Sequence, residues 1–325
     1  MAGSTVIDID RDGDVIIAWQ SDGGECILPN KLRVNSAVLA RGSPVFKAML
    51  SERFKEGSEL TANGAVEIPL SVDEAEGMTV MCDVLHFRND QVPEILAPPL
   101  LEDIAKLVDK YDCVEAMRHA ARTWLQTLLL DQESKGQPPS PKILTAAYYF
   151  QDARMINESS EKLVKFANHD LKDANSDHPH DLEKLQDALQ QQREKIFLET
   201  TRFIDSEINI LATNACSHGK GCQVAAKFTC GVLQKLSNMR ILTNEQRRSH
   251  RPAILIKTVE EFDGGQPQNC AQGTGCLRNG AEWTMRSRFQ EKAKSLRGLV
   301  KAPCLACIRE GSSHSGAPCK HAKVR

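Results

Sequence analysis

The stretch KLRVNSAVLARGSPVFKAMLSERFKE, residues 31–56, decides the fold of the first part of the chain. Its opening residues complete a segment, ECILPNKLRV, that reads as a β-strand. Ser36 can cap a short helix over AVLAR, and Ser43-Pro44 begins a second one, because proline costs nothing in the first turn of a helix. In the second helix four apolar residues recur at helical spacing: Val45, Phe46, Met49 and Leu50. The stretch therefore predicts a strand that leads into two short helices.

Strands are also predicted on both sides of this stretch. Upstream, DVIIAWQ (residues 14–20) is rich in β-branched and aromatic residues, and the turn SDGG joins it to ECILPNKLRV as an antiparallel hairpin. Downstream, AVEIPL (residues 65–70) returns as a strand. The sequence thus predicts a small mixed sheet.

Amphipathic helices are expected after the sheet, up to about Leu130. Three groups of apolar residues each share one helical face: Ala75, Met78, Cys82 and Leu85; Leu100, Ile104, Leu107, Val108 and Tyr111; and Met117, Ala121, Trp124, Leu125 and Leu128. Residues 12–130 should therefore form an α+β domain, a small mixed sheet packed with helical hairpins.

Composition divides the rest of the chain into three parts. Residues 131–141, DQESKGQPPSP, are polar and proline-rich, which is typical of a linker. Residues 142–213 are expected to be helical, with two short helices and then one long helix from His180 to Leu211. The long helix has one apolar seven-residue repeat without the second seam of a coiled coil, so we expect it to pack on its own domain. Residues 214–325 read as a loop-rich, cysteine-rich region with a basic tail.

The overall composition excludes several classes of protein. The formal net charge of -2 creates no field that would attract nucleic acid or an anionic membrane. No apolar run approaches the roughly 20 residues needed to cross a bilayer, and the polar N-terminus does not resemble a secretory signal. These features predict an intracellular protein, in the cytoplasm or nucleus, with no membrane partner.

The cysteines suggest zinc as the cofactor to test. The 11 cysteines cannot all pair, and an intracellular location disfavours disulfides, which leaves metal ligands or reduced thiols. Two similar glycine-containing segments each carry a cysteine pair: Cys216 with Cys222, and Cys270 with Cys276. Four thiolates could hold zinc tetrahedrally, although this spacing exceeds the usual two to four residues. The alternative is a pair of similar turns with buried thiols.

The tail offers a second candidate zinc site with a more usual spacing. Cys304 and Cys307 form a two-residue knuckle, followed by His314 and by Cys319 or His321. The arrangement is similar to the zinc knuckle of RNA-binding proteins, with two more residues between Cys307 and His314. The alternative is an irregular tail whose thiols are merely exposed.

The string 31–56 and the order of elements around it resemble the BTB/POZ domain. That family has an Asp-led strand followed by the pattern H-x-x-V-L-A-x-x-S-P-x-F-x-x-M. Eight residues of this chain fall on the pattern: Asp14, Val38, Leu39, Ala40, Ser43, Pro44, Phe46 and Met49. Asn35 stands where many animal members have histidine, and the segment LTAAYYFQD with the helix after it resembles the filamentous-fungal branch. The resemblance covers residues 12–128.

The resemblance implies a protein–protein interaction adaptor and not an enzyme. Many BTB proteins bridge a substrate to a cullin-type ubiquitin-ligase scaffold through a hydrophobic residue, any residue and then glutamate, a pattern that Phe54, Lys55 and Glu56 fit. In the alternative reading, Phe54 covers an edge of the core. Homodimerisation is also implied, but only about a dozen residues precede the first strand. That is too few for the helix and strand that long animal forms exchange between subunits.

The competing hypothesis is a zinc-stabilised regulator that binds nucleic acid. Basic residues outnumber acidic ones from Arg278 onward, among them Arg286, Arg288, Lys292, Lys294, Arg297 and Lys301. A basic helix before a zinc knuckle could contact phosphates, but solvated charge is the more usual reason for such a run. The sequence has no glycine-rich phosphate loop, zinc-protease helix or dinucleotide fingerprint, so no catalytic residues and no small-molecule substrate are predicted.

Overall fold

A computed structural model describes residues 6–20, 31–71, 75–167, 171, 178–213, 223–264 and 281–310. The chain forms two compact units, Met1–Ser159 and Ser160–Arg325. Among the described residues the fold is mixed α+β, mainly helical with one small sheet, which confirms the predicted fold class at this level. None of the described helices is long and apolar enough to cross a membrane.

The sheet of the first unit has four strands among the described residues, in the order β1-β3-β2-β4. Their bounds are β1 Val6–Asp8, β2 Val15–Gln20, β3 Lys31–Val34 and β4 Val66–Ser71. As predicted, β2 pairs antiparallel with β3, whereas it pairs in parallel with β4. The short strand β1, which pairs in parallel with β3, was not predicted. The predicted turn and the first part of its second strand, residues 21–30, lie outside the described residues.

Helices surround this sheet in the first unit. Their bounds are α1 Ser36–Gly42, α2 Pro44–Met49, α3 Lys55–Asn63, α4 Ala75–Leu85, α5 Pro98–Lys110, α6 Val114–Ser134, α7 Pro141–Tyr149 and α8 Ala153–Phe166, the last of which continues into the second unit. The apolar faces predicted for α4, α5 and α6 are buried, apart from the partly exposed first residue of the α4 and α5 faces. The predicted linker begins within α6, which continues through Ser134. The domain boundaries otherwise stay predictions.

The first two helices begin as the sequence suggests, with one difference at α1. Ser43 caps α2 ahead of Pro44, as predicted. At α1 the cap is Asn35, whose side chain accepts hydrogen bonds from the backbone of Ala37 and Val38. Ser36 instead donates to Asp14, from its backbone N–H at 2.7 Å and its hydroxyl at 2.6 Å. Asp14 therefore ties the start of β2 to the start of α1.

His86, just after α4, connects this helix to the start of α1. Its Nε2 accepts a hydrogen bond from the backbone N–H of Asn35 at 3.1 Å, and its Nδ1 lies 2.9 Å from the carbonyl oxygen of Cys82. Because a backbone N–H can only donate, Nε2 must be unprotonated and Nδ1 must carry the hydrogen. Burial lowers the pKa of His86, and this outweighs the opposing effects of the Cys82 carbonyl and of Asp10.

We expect the stability of the first unit to fall as the pH drops below about 6.5, the ordinary pKa of histidine. The folded pKa of His86 is lower than the unfolded one, so the unfolded chain binds this proton more readily. The contribution of neutral His86 to the free energy of unfolding is therefore fully present above the unfolded pKa, and it is lost as the pH falls through the folded pKa. In the His86→Gln variant the amide oxygen can still accept from Asn35, so this pH dependence should disappear.

Urea unfolding of the wild type and of His86→Gln, each at about pH 7.5 and about pH 5.5, checks the effect of His86 on stability. The matched control is His119→Gln, because His119 is exposed on α6. An equal loss of stability on acidification in wild type and His86→Gln would contradict the assigned role.

The second unit is helical in the residues that the structure describes. Its helices are α9 His180–Thr213, α10 Gln223–Asn238, α11 Asn244–Arg248, α12 Pro252–Glu261, α13 Ala281–Leu299 and α14 Leu305–Arg309. The inner face of α9 is buried within this unit along most of its length, at Leu182, Leu185, Leu189, Ile196 and Ile204. The long helix therefore packs within its own unit, but its partners include α13 and α14, which lie beyond the 142–213 region to which it was assigned.

Candidate partner-binding surface

The residues predicted to bind a scaffold lie at the start of α3, just after the connection from α2: Phe54, Lys55 and Glu56. The backbone of this connection is held at successive points: the N–H of Leu50 donates to Phe46 and that of Ser51 to Ala48. The N–H of Phe54 then donates to the carbonyl of Ser51 at 3.0 Å. The hydroxyl of Ser58, on α3, donates to the carbonyl of Glu52 at 2.9 Å. The connection is thus a hydrogen-bonded turn.

Phe54 lies on this turn with about half of its surface exposed. It is the residue before α3, in extended conformation, and its side chain makes no capping hydrogen bond. The residue is 51% exposed. Since the other half of its surface is covered, the partner contact and the alternative, in which Phe54 covers an edge of the core, both stay predictions.

The two residues that follow Phe54 are also accessible. Lys55 is exposed and pairs with Glu59 one turn further along α3, at 3.6 Å. Glu56 is partly exposed in the first turn of α3, where the helix dipole favours a negative charge. The surface defined by Phe54, Lys55 and Glu56, called the Phe54 surface below, therefore presents an aromatic ring beside a lysine and a carboxylate.

Gly57 fixes the position of the Phe54 surface, and sequence reasoning missed it. It is buried in the first turn of α3. A β-carbon at this position would lie 2.6 Å from the carbonyl carbon of Leu50 and closer still to the carbonyl group of Ser51. Only glycine therefore allows α3 to approach the end of α2 this closely. The signal was a glycine inside a segment, KEGSELTAN, that has no clear apolar stripe.

Phe87 is a second exposed aromatic ring in the first unit. It is 80% exposed and has a positive φ of 59°. It follows His86 in the bonded turn that ends α4, where the N–H of Arg88 donates to the carbonyl of Asp83. Phe87 provides a matched comparison for Phe54, because both rings face solvent.

The basic residues of α13 are partly neutralised by acidic side chains. Arg288 forms a bidentate pair with Glu207 of α9, at 2.9 and 2.7 Å. Lys292 pairs with Glu199 of α9 at 2.8 Å, and Arg297 pairs with Glu260 of α12. The hydrogen bond from Lys292 is also the main reason why the pKa of Glu199 is lowered. Half of the six basic residues named above therefore serve to hold helices together.

Only two of the residues in the predicted zinc sites lie among the described residues. Cys216, Cys222, Cys270 and Cys276 lie outside the described residues, and so do His314, Cys319 and His321. Cys304 and Cys307 are described, at the start of α14. Among the described residues no group of three or more cysteine, histidine, aspartate or glutamate side chains is arranged to hold a metal ion.

The buried thiols of the first unit are poorly suited to nucleophilic chemistry. Cys82 and Cys113 are both buried. Burial raises the pKa of Cys82, and it raises the pKa of Cys113 to about 12. Since the thiolate is the reactive form, both side chains act as apolar core residues.

No protein-family model matches this chain, and no curated protein and no solved structure matches it significantly. Among the described residues, the Phe54 surface combines a half-exposed aromatic ring with a hydrogen-bonded backbone.

Proposed function

We propose that the first unit is a protein-interaction module of the BTB/POZ type. The chain then acts as an adaptor that bridges a substrate protein to a cullin-type ubiquitin-ligase scaffold. Support comes from the sheet, in which β2 pairs with β3 as a hairpin partner and with β4 in parallel. The helices α1 and α2 stand between β3 and β4, followed by α4 to α6, in the order that the resemblance implies, and α3 is an additional helix before β4.

The observation that carries the proposal is the exposure of Phe54 on a hydrogen-bonded turn. Aromatic residues are frequent anchors of protein interfaces, and the ring of Phe54 stands at the position that the resemblance assigns to the scaffold contact. Because the turn is already fixed, little backbone entropy is lost when a partner covers the ring. The neighbouring Glu56 can pair with a basic or hydrogen-bonding group of the partner and so set its orientation.

We expect the Phe54→Ala variant to bind a purified cullin-type scaffold at least tenfold more weakly than the wild type. Removing an aromatic anchor from an interface costs about 2 kcal/mol or more, and about 1.4 kcal/mol is already a factor of ten. Biolayer interferometry with the full chain and its variants measures this. Because half of the surface of Phe54 is exposed, its removal should lower the thermal unfolding temperature much less than the loss of a fully buried ring would.

The control is Phe87→Ala, which removes another exposed ring from the same unit. Its affinity for the scaffold should equal that of the wild type. A wild-type chain that does not bind the scaffold would refute the scaffold as partner. Equal losses in both variants would refute the assignment of the contact to the Phe54 surface.

The nucleic-acid hypothesis has weaker support. Arg288, Lys292 and Arg297 are each engaged by a glutamate, which offsets part of the positive charge that α13 would offer to phosphates. The adaptor proposal needs neither a catalytic residue nor a small-molecule substrate, and it assigns the protein to the cytoplasm or nucleus. Self-association through the first unit is compatible with an adaptor and forms no part of the test.

A further inference from the structure

The helix α4 ends in a left-handed turn that glycine normally occupies, and this chain places a phenylalanine there. The N–H of Phe87 donates to the carbonyl of Val84 at 3.2 Å, and that of Arg88 donates to the carbonyl of Asp83 at 2.9 Å. These two bonds define the Schellman motif, whose reversing residue has a positive φ, here 59° for Phe87. A β-carbon is strained in this left-handed region, which is why glycine is the usual residue. The backbone of Phe87 therefore carries strain that glycine would avoid.

Other described helices reverse in the same way without an aromatic residue. The corresponding positions with positive φ hold polar residues after α5, α7 and α10 and glycine after α6: Asp112, Gln151, Arg240 and Gly136. Burial does not offset the strain at Phe87, since this residue is 80% exposed. Strained residues of this kind cluster at ligand-binding sites, where a partner makes use of the side chain. Folding itself gains little from an aromatic ring at this position.

The connection from α4 to α5 is held in place around this turn. Arg88 pairs with the nearly buried carboxylate of Asp83 at 3.1 Å, and its guanidinium also donates to the backbone carbonyl of Asp8 at 3.4 Å. Further along the connection, the indole N–H of Trp124 donates to the carbonyl of Pro93 at 2.7 Å. Because the backbone is already fixed, little entropy is lost when a partner covers the exposed ring.

The charges that this connection offers to a partner are negative. Asp90 and Glu94 are both exposed. The single arginine or lysine of the connection, Arg88, is already paired with Asp83. An aromatic face with neighbouring carboxylates attracts a lysine or arginine side chain, through cation–π attraction to the ring and through charge. The same carboxylates repel nucleic acid and anionic membranes, so a basic segment of a protein is the occupant that these side chains fit.

We propose that Phe87, Asp90 and Glu94 form a second partner-binding surface, which takes a lysine- or arginine-containing segment of another protein. In the proposed adaptor this segment belongs to the substrate, and in that respect the inference rests on the proposed function. The binding itself uses no residue of the Phe54 surface. Bridging requires two separate surfaces on one chain, and this surface supplies the second.

The test is a selection from a phage-displayed library of random peptides on the full chain, with the wild type, Phe87→Gly and Phe54→Ala as separate baits. The wild type and Phe54→Ala should enrich peptides rich in lysine or arginine, whereas Phe87→Gly should not. Glycine suits the left-handed turn, so Phe87→Gly should resist urea at least as well as the wild type. Lost binding at undiminished stability separates a contact of the ring from misfolding.

Fluorescence polarisation with an enriched, labelled peptide then gives the affinities. Phe87→Gly and the double variant Asp90→Asn with Glu94→Gln should each bind at least about tenfold more weakly than the wild type. The matched control is Glu115→Gln, an exposed glutamate on α6, which should bind as the wild type does.

Two results would overturn the proposal: a wild type that enriches no basic peptides, and equal enrichment by Phe87→Gly. Full affinity in the double variant would overturn the basic occupant. A wild type that binds the basic peptides but not the scaffold would support this surface while refuting the proposed scaffold contact.

Discussion

Replacing Gly57 by alanine is expected to destabilise the first unit by about 3 kcal/mol, at the upper end of what overpacking a well-packed site costs. The added methyl group would overlap the backbone of Leu50 and Ser51, which cannot swing aside as a flexible side chain can. The higher helix propensity of alanine offsets only about 1 kcal/mol of this cost. Because α3 must shift to relieve the overlap, the variant should also bind the proposed scaffold more weakly than the wild type.

Hydrogen exchange of the amides in α4, α5 and α6 measures the stability of the first unit within the full chain. The control is Gly231→Ala, in the middle of α10, where an added β-carbon would meet no atom within 4 Å. That variant should be more stable than the wild type in its own unit, by about 0.5–1 kcal/mol. A Gly57→Ala protein that is as stable as Gly231→Ala would refute the close approach of α2 and α3.

Replacing Arg247 by methionine is expected to destabilise the second unit by about 2–4 kcal/mol, because two backbone carbonyls lose their donor at about 1–3 kcal/mol each. Arg247 is 1% exposed. Its guanidinium donates to the carbonyls of Ile241 and Leu242, both at 2.7 Å, and to side-chain oxygens of Asn244 and Asp205. Methionine fills a similar volume but leaves the two carbonyls without a donor, whereas the exposed Asn244 and Asp205 can bond to water.

Arg247→Lys should recover only part of this loss, because one ammonium group cannot reproduce the planar fork of a guanidinium. The matched control is the adjacent Arg248→Met. The side chain of Arg248 is 65% exposed and pairs with Glu194 at 3.4 Å, so its loss should cost about 1 kcal/mol or less. Urea unfolding of the full chain, monitored by hydrogen exchange of the α9 amides, gives the loss of stability in the Arg247 and the Arg248 variants. Equal effects at the two arginines would contradict the anchoring role of Arg247.

Much of the first unit could be predicted because most of its strands and helices show a clear local pattern of apolar or β-branched residues. The strands β2 and β4 were visible as runs of β-branched residues, and α4 to α6 as apolar stripes. The strand β1 was missed because three residues give no periodicity, and its pairing with β3 is decided by tertiary contact. The helix α3 was missed because Gly57 and a mainly polar composition hide it, although its packing is what positions Phe54.

The candidate sites were predictable only as far as their residue types are informative. The pattern Phe54-Lys55-Glu56 could be read directly, whereas the exposure of Phe54 and the hydrogen bonds beneath it required the structure. Arg247 gave no signal, since it stands among exposed charges in NEQRRSHR and its burial depends on Asp205, which is distant in sequence. Likewise, a basic run in sequence does not reveal that Arg288 and Lys292 are paired with α9.

The parallel pairing of β2 with β4 has a consequence for how the protein is made. Val15 aligns with Val66, so all of α1, α2 and α3 must be synthesised before the sheet can close. Such a high contact order slows folding relative to a purely local architecture. While the nascent chain waits for β4, one edge of β2 stays unpaired, and an unpaired strand edge is prone to aggregate. The early ribosome-bound chain is therefore the stage at which the β2 edge is open to pairing with another chain.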